Sequence, residues 1–184
     1  ASMAPTPPMT PSGRLVAAGF VATGVGFGPA RMGFGLFLPT FRESFALSTL
    51  EAALIASFAF LAFLGALPLA AWLVERVGQR PPIVAGAVAA VAGFAAAASA
   101  AHPAQLALGV ALAGTSAGFC WAPFNDAAER VVPDSTRPSA LSAIATGTTL
   151  GVAAAGATFL GVAFGLLGWR AAWAGFGAAG VLAA

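Results

Sequence analysis

The sequence contains no lysine and no tyrosine, one cysteine and one histidine, and charged residues make up 8% of its 184 positions. Each scarcity removes a class of protein. A single cysteine, Cys120, rules out an intrachain disulfide and any metal site built on two thiolates; inside an apolar run it reads as a small buried hydrophobe. A soluble domain carries about 25% charged residues, so this chain cannot surround itself with a water-facing surface. All eight basic residues are arginines, placed singly between apolar stretches. The net charge of +2 is therefore not the patch that holds a nucleic acid, and no nucleic-acid partner is expected.

Two motif matches fail on context. Gly114-Thr115-Ser116-Ala117-Gly118 has the spacing of a hydrolase nucleophile elbow, which needs a strand-to-helix turn and a histidine partner. Here it lies in an Ala-rich helical run, and the one histidine, His102, sits in a loop before Pro103. Gly24-x-Gly26-x-Gly28 is not a dinucleotide fingerprint, because no strand precedes it. Neither catalysis, a cofactor nor a metal is expected.

What is abundant is apolar: 59% of residues are hydrophobic and the mean hydropathy is +0.91. Residues 1–12 are Pro-rich without apolar periodicity and read as a disordered tail. Six apolar runs follow, at about 15–38, 48–74, 82–100, 104–130, 139–167 and 171–184. The first five are each long enough to cross a hydrocarbon core of about 30 Å, which takes roughly 20 helical residues. In lipid every backbone polar group must be paired within the segment, so these are helices; the alternating polarity of a membrane barrel is missing. Ser48 with Glu51 has the spacing of a capping box at the start of the second run. The expected fold is an all-α bundle of six transmembrane helices. The sixth run, about 14 residues or roughly 21 Å, is expected to be cut short, making the chain a fragment.

Arginine placement sets the orientation. With the N-terminus inside, Arg14, Arg76, Arg80, Arg130 and Arg137 fall on the inner side and Arg42 and Arg170 on the outer. This bias places the N-terminus in the cytoplasm, and a multi-pass protein of a bacterial inner membrane is the expected setting.

Between the second and third runs, Ala71-Trp72-Leu73-Val74-Glu75-Arg76-Val77-Gly78-Gln79-Arg80 resembles the loop motif G-x-x-x-D-R-x-G-R-R of the major facilitator superfamily. Ala71 and Gln79 depart from that pattern. Gly168-Trp169-Arg170, leading into Trp173, resembles the turn before that family's sixth helix. The stretch Gly114–Gly118, Trp121-Ala122-Pro123, Glu129-Arg130 and Arg137–Leu141 resembles its fourth helix, inner loop and fifth helix. An arginine often found in the fourth helix would fall at Val110, so a proton-coupling role tied to it is not carried over. The resemblance covers about residues 14–184 and implies the N-terminal half of a twelve-helix transporter, whose partners are membrane lipid, a small-molecule solute and a missing C-terminal six-helix half. It also implies that Glu75, Arg76, Gly78 and Arg80 latch one conformation. The alternative is a plain topogenic charge cluster.

Arg31 is the one charge deep in an apolar run. A centred arginine costs roughly 2.5–3.5 kcal/mol on insertion scales, which marks it as functional or as a side chain that snorkels or pairs structurally. It shares a stripe with Gly24, Gly28 and Gly35, and Pro29 can shift that phase. In the fourth run, Gly114, Gly118, Trp121 and Asn125 share a stripe; Trp121 and Asn125 face either the transport path or packing and a helix-end bond. In the fifth, Thr146 and Thr149 share a stripe with Ser142, and such hydroxyls either meet a solute or bond their own backbone. Arg31, Trp121, Asn125, Thr146 and Thr149 are thus the expected substrate path. The expected function is secondary active transport of a small solute by alternating access, with Arg31 favouring an organic anion. An exporter of hydrophobic compounds and a non-transporting six-helix scaffold are the alternatives.

Overall fold

In a computed structural model, residues 10–183 are described, and within them the chain is helical with no strand. The tail expected over residues 1–12 lies outside the described residues as far as residue 9; Thr10 already caps a helix, accepting from the Gly13 N–H at 3.1 Å. That helix, α1 (Pro11–Leu36), starts four residues before the expected Leu15, because Pro11 fits the first turn, where its missing N–H is not needed.

The middle of α1, Gly26–Met32, is a π-helix that contains Pro29. Proline removes one backbone donor and clashes with the preceding turn, and the wider π turn absorbs both. The consequence is a slip in phase. Gly24 and Gly28 meet the fifth membrane helix, whereas Arg31 turns toward the second, so the stripe read from an even 3.6-residue period does not hold through this segment.

The chain turns at Phe37 and enters a short helix, α2 (Leu38–Phe45), with Pro39 in its first turn. Proline here starts a helix where the sequence suggested a stop. α2 ends at Ala46, whose φ of 50° is left-handed. Next comes α3 (Thr49–Val77), opened by the expected capping box: Ser48 Oγ accepts from the Glu51 N–H at 3.2 Å, and the Ser48 N–H donates to Glu51 Oε2 at 2.9 Å. The remaining helices are α4 (Arg80–Ala98), α5 (Pro103–Val131), α6 (Arg137–Ala163) and α7 (Trp169–Ala183). α6 stops short of the expected Leu167, because Gly165, with φ of 71°, turns the chain toward α7.

Five helices, α1 and α3–α6, are long and apolar enough to cross a membrane. α5 is the centre: 61% of its most apolar stretch is buried, against 17% for α3 and for α6. It packs against α4, α3 and α1. Apolar side chains gain nothing from leaving lipid for one another, so contact must come from close backbone approach. Glycine supplies it at three crossings. A Cβ on Gly147 or Gly151 of α6 would collide with the Phe20 or Gly24 carbonyl of α1. One on Gly93 would strike α5 at Ala113, and one on Gly118 would meet Ala66 of α3. Thr23 Oγ1 adds a buried hydrogen bond across the α1–α6 seam, donating to the Ile144 carbonyl at 2.7 Å.

The end of the bundle that carries α2 and the α4–α5 turn is sealed by rings. Phe37, Phe41, Phe94 and Trp173 are fully buried and meet mostly edge to face, Phe37 and Trp173 with centroids 6.0 Å apart. Arg170 of the Gly168-Trp169-Arg170 turn lies over Trp169 and donates to the Ala100 carbonyl at 2.6 Å, tying α7 to the α4–α5 turn.

Gly151→Ala is expected to lower stability by about 1–3 kcal/mol through backbone overpacking. Gly156→Ala, where a Cβ meets open space, is expected to be neutral or stabilising. Thermal unfolding of both variants in detergent checks the contrast.

Candidate functional site

The half-buried guanidinium of Arg31 lies over two rings of α3, with Cζ 4.7 Å from the Phe60 centroid and 4.5 Å from that of Phe63. Such contacts are worth about 0.5–2 kcal/mol, more as water is excluded. The ion pairs among the described residues are Asp126–Arg130 and Asp134–Arg137; Arg31 belongs to neither. It lines a recess of about 180 Å³ with Ala30, Ala59, Phe60, Val110 and Gly114. Val110 thus borders the recess as an apolar residue, 2% exposed.

Rings continue inward from Arg31. Phe27 meets Phe63 at 6.3 Å and Trp121 at 5.5 Å, both edge to face. Phe27, Phe63, Leu67, Trp121, Thr148 and Thr149 line a second recess of about 500 Å³ between α1, α3, α5 and α6. Phe63 joins the two recesses: Arg31 lies over its ring, and the same ring lines the second recess with Trp121 and Thr149. Thr148, which the sequence reading passed over, adds a buried hydroxyl with no hydrogen-bond partner. Phe60 and Phe63 were passed over too: nothing in a uniformly apolar run distinguishes a phenylalanine facing an arginine from one facing lipid.

Two expected path residues bond their own helix. Asn125 Nδ2 donates to the Trp121 carbonyl of its own helix at 2.9 Å, and Thr146 Oγ1 to the Ser142 carbonyl at 2.8 Å. Both spend their polarity on a backbone carbonyl one turn earlier, the helix-bonding alternative for such side chains.

At the opposite end of the bundle, the loop between α3 and α4 joins α5. The Gln79 amide donates to Asp126 Oδ2, and Arg130 Nε approaches the same carboxylate at 3.1 Å. Glu75 is exposed and borders this cleft, of about 550 Å³, with Gly78 and Arg130. Arg76 stacks over Trp72 at 5.1 Å, and Arg80 opens α4 at the surface. Gly78 has φ 84° and ψ −179°, a region essentially reserved for glycine. Gln79, where the family pattern has a basic residue, is thus the loop residue that grips α5.

This arrangement of helices and loop is matched by a family comparison. The family model of the Major Facilitator Superfamily covers residues 15–184. The chain belongs to the Major Facilitator Superfamily. It is accordingly a multi-pass integral membrane protein of a transporter family, as its five membrane-length helices require. No curated protein matches the chain. In this superfamily member the polar features sit in two places: a cation–aromatic seam within the bundle and a hydrogen-bonded cleft at one end.

Gly78→Ala is expected to strain the loop by about 1–3 kcal/mol. Amide hydrogen exchange over residues 75–80 should then accelerate by about 5- to 150-fold, while Gly175→Ala, whose Cβ meets open space, should leave that segment unchanged.

Proposed function

We propose that the protein is a secondary active transporter that moves a small organic anion by alternating access, with this bundle rocking against a second six-helix bundle. The observation that carries the reading is the Arg31 guanidinium, half-buried in the last third of α1 but level with the middle of α3, set against two rings and paired with no carboxylate among the described residues. An ionised side chain at that depth is retained where it faces a solute path. Arg31 supplies the binding charge, and Trp121 and Thr149 form the wall that the solute passes.

The weakly buried faces of α3 and α6 are the surfaces left for lipid and for a second bundle. Glu75, Arg76, Gly78 and Arg80 would hold the inner end closed in one of the two states, with Gln79 and Asp126 anchoring the loop. The Arg76 stack and the anchored cleft support that role. The arginine bias supports an N-terminus in the cytoplasm. A second reading, export of hydrophobic compounds, is favoured by one observation: the larger recess is walled chiefly by Phe27, Phe63, Leu67 and Trp121.

Uptake of a panel of anionic, neutral and cationic solutes into proteoliposomes of the full-length protein tests this. Arg31→Gln should reduce anion uptake by about 30-fold or more, as expected when one partner of a buried charge pair is removed. Arg31→Lys should recover part of it, lacking the bidentate fork. Carriage of neutral hydrophobic solutes that is unchanged in Arg31→Gln, with no Arg31-dependent uptake of anions, would favour the exporter.

A further inference from the structure

The seam that holds Arg31 is more specific than a charge alone requires. Phe60 and Phe63 flank its guanidinium on one side, and no protein acceptor meets its N–H groups among the described residues. Those donors are left free, and a guanidinium fork receives a carboxylate with two parallel hydrogen bonds. One arginine and no second cation line the two recesses, so the charge they match is a single negative one. Neither recess contains an acidic side chain to compete for it.

The wall next to that charge is aromatic. Phe63 adjoins both parts: Arg31 lies over its ring, and the same ring borders the larger recess. Phe27 stands edge to face with both Phe63 and Trp121. Trp121 is 41% exposed, so its ring has surface free for a further partner. Opposite these rings, α6 offers the unpartnered Thr148 hydroxyl and the exposed Thr149. An aliphatic chain would gain area burial from such a wall; a planar ring gains that and the quadrupole interaction between aromatic edges and faces.

We propose that the substrate class is aromatic monocarboxylates, with Arg31 holding the carboxylate and Phe63, Phe27 and Trp121 selecting the ring. This rests on the anion-transport reading and deepens it. It also explains why one seam has features of both an anion site and a hydrophobic one: an aryl carboxylate presents both. Phe60 and Phe63 have two tasks. They shelter one side of the cation when the site is empty, and they leave its donors open on the other, where the carboxylate arrives.

The test compares two probes of equal charge and similar size, benzoate and hexanoate, in proteoliposomes of the full-length protein. Wild type should take up benzoate in preference to hexanoate. Phe63→Leu and Trp121→Leu should each reduce that preference by about 2- to 10-fold, the value of one aromatic pair, while Phe63→Trp should restore it. The ratio of the two uptakes is the readout, because a variant that merely folds less well lowers both rates together. Arg31→Gln should abolish uptake of both. Equal uptake of the two acids, with a ratio unmoved by Phe63→Leu, would overturn the aromatic assignment and leave anion transport standing. Uptake of neither acid, with other solutes carried independently of Arg31, would overturn both.

Discussion

In hydrocarbon a helix has no use for its neighbours except shape and the few polar groups it must hide. Backbone donors and acceptors are closed within each helix, and greasy surfaces are as content in lipid as against protein. The structure is built on that constraint. Its helices meet where glycine lets backbones touch: Gly24 and Gly28 against Gly147 and Gly151, Gly93 against Ala113, Gly118 against Ala66. These contacts fix α1 between α5 and α6. Once α1 is fixed, its π-helical turn at Gly26–Met32 decides where Arg31 points. The charge follows from the packing, because the glycine face of α1 is already occupied and the wider turn carries residue 31 round to α3.

The two ends of the bundle solve different problems. The end at α2 and the α4–α5 turn is a plug of buried rings around Trp173, with Arg170 as its tie. The end at the α3–α4 loop is polar and open: Gln79, Asp126 and Arg130 make a short chain of contacts beside an exposed Glu75. Between them run recesses lined by aromatic rings, one cation and two threonines. A ring-packed end, a hydrogen-bonded end and an unfilled middle are joined by α5, the most buried of the membrane-length helices.

Much of this was legible in the sequence. The scarcity of charge and the length of the apolar runs gave the bundle, and Ser48 with Glu51 marked a helix start to the residue. Arg31 stood out because it was the single charge in the middle of a run. The missed features share a cause. Pro11 was read as part of a disordered tail and Pro39 as a stop, although proline is equally at home in a first turn. The π segment cannot be seen in a periodicity that assumes a constant turn, so Arg31 was placed beside Gly24 and Gly28 rather than against α3. Phe60, Phe63 and Thr148 carry no local signal; they matter because of what a distant helix brings to them. Asn125 and Thr146 show the reverse, polar side chains that a neighbouring carbonyl claims first.

Whether Arg31 turns inward is measured most directly by a nitroxide label at that position, in the full-length protein reconstituted in bilayers with Cys120 replaced by alanine. A second label at Leu61, which is 64% exposed on α3, reports the lipid face. Inward orientation predicts that the label at 31 is relaxed by a water-soluble nickel chelate and largely shielded from membrane-dissolved oxygen, with the opposite pattern at 61. The same oxygen-dominated relaxation at both positions would place residue 31 against lipid and remove the cation from the transport path.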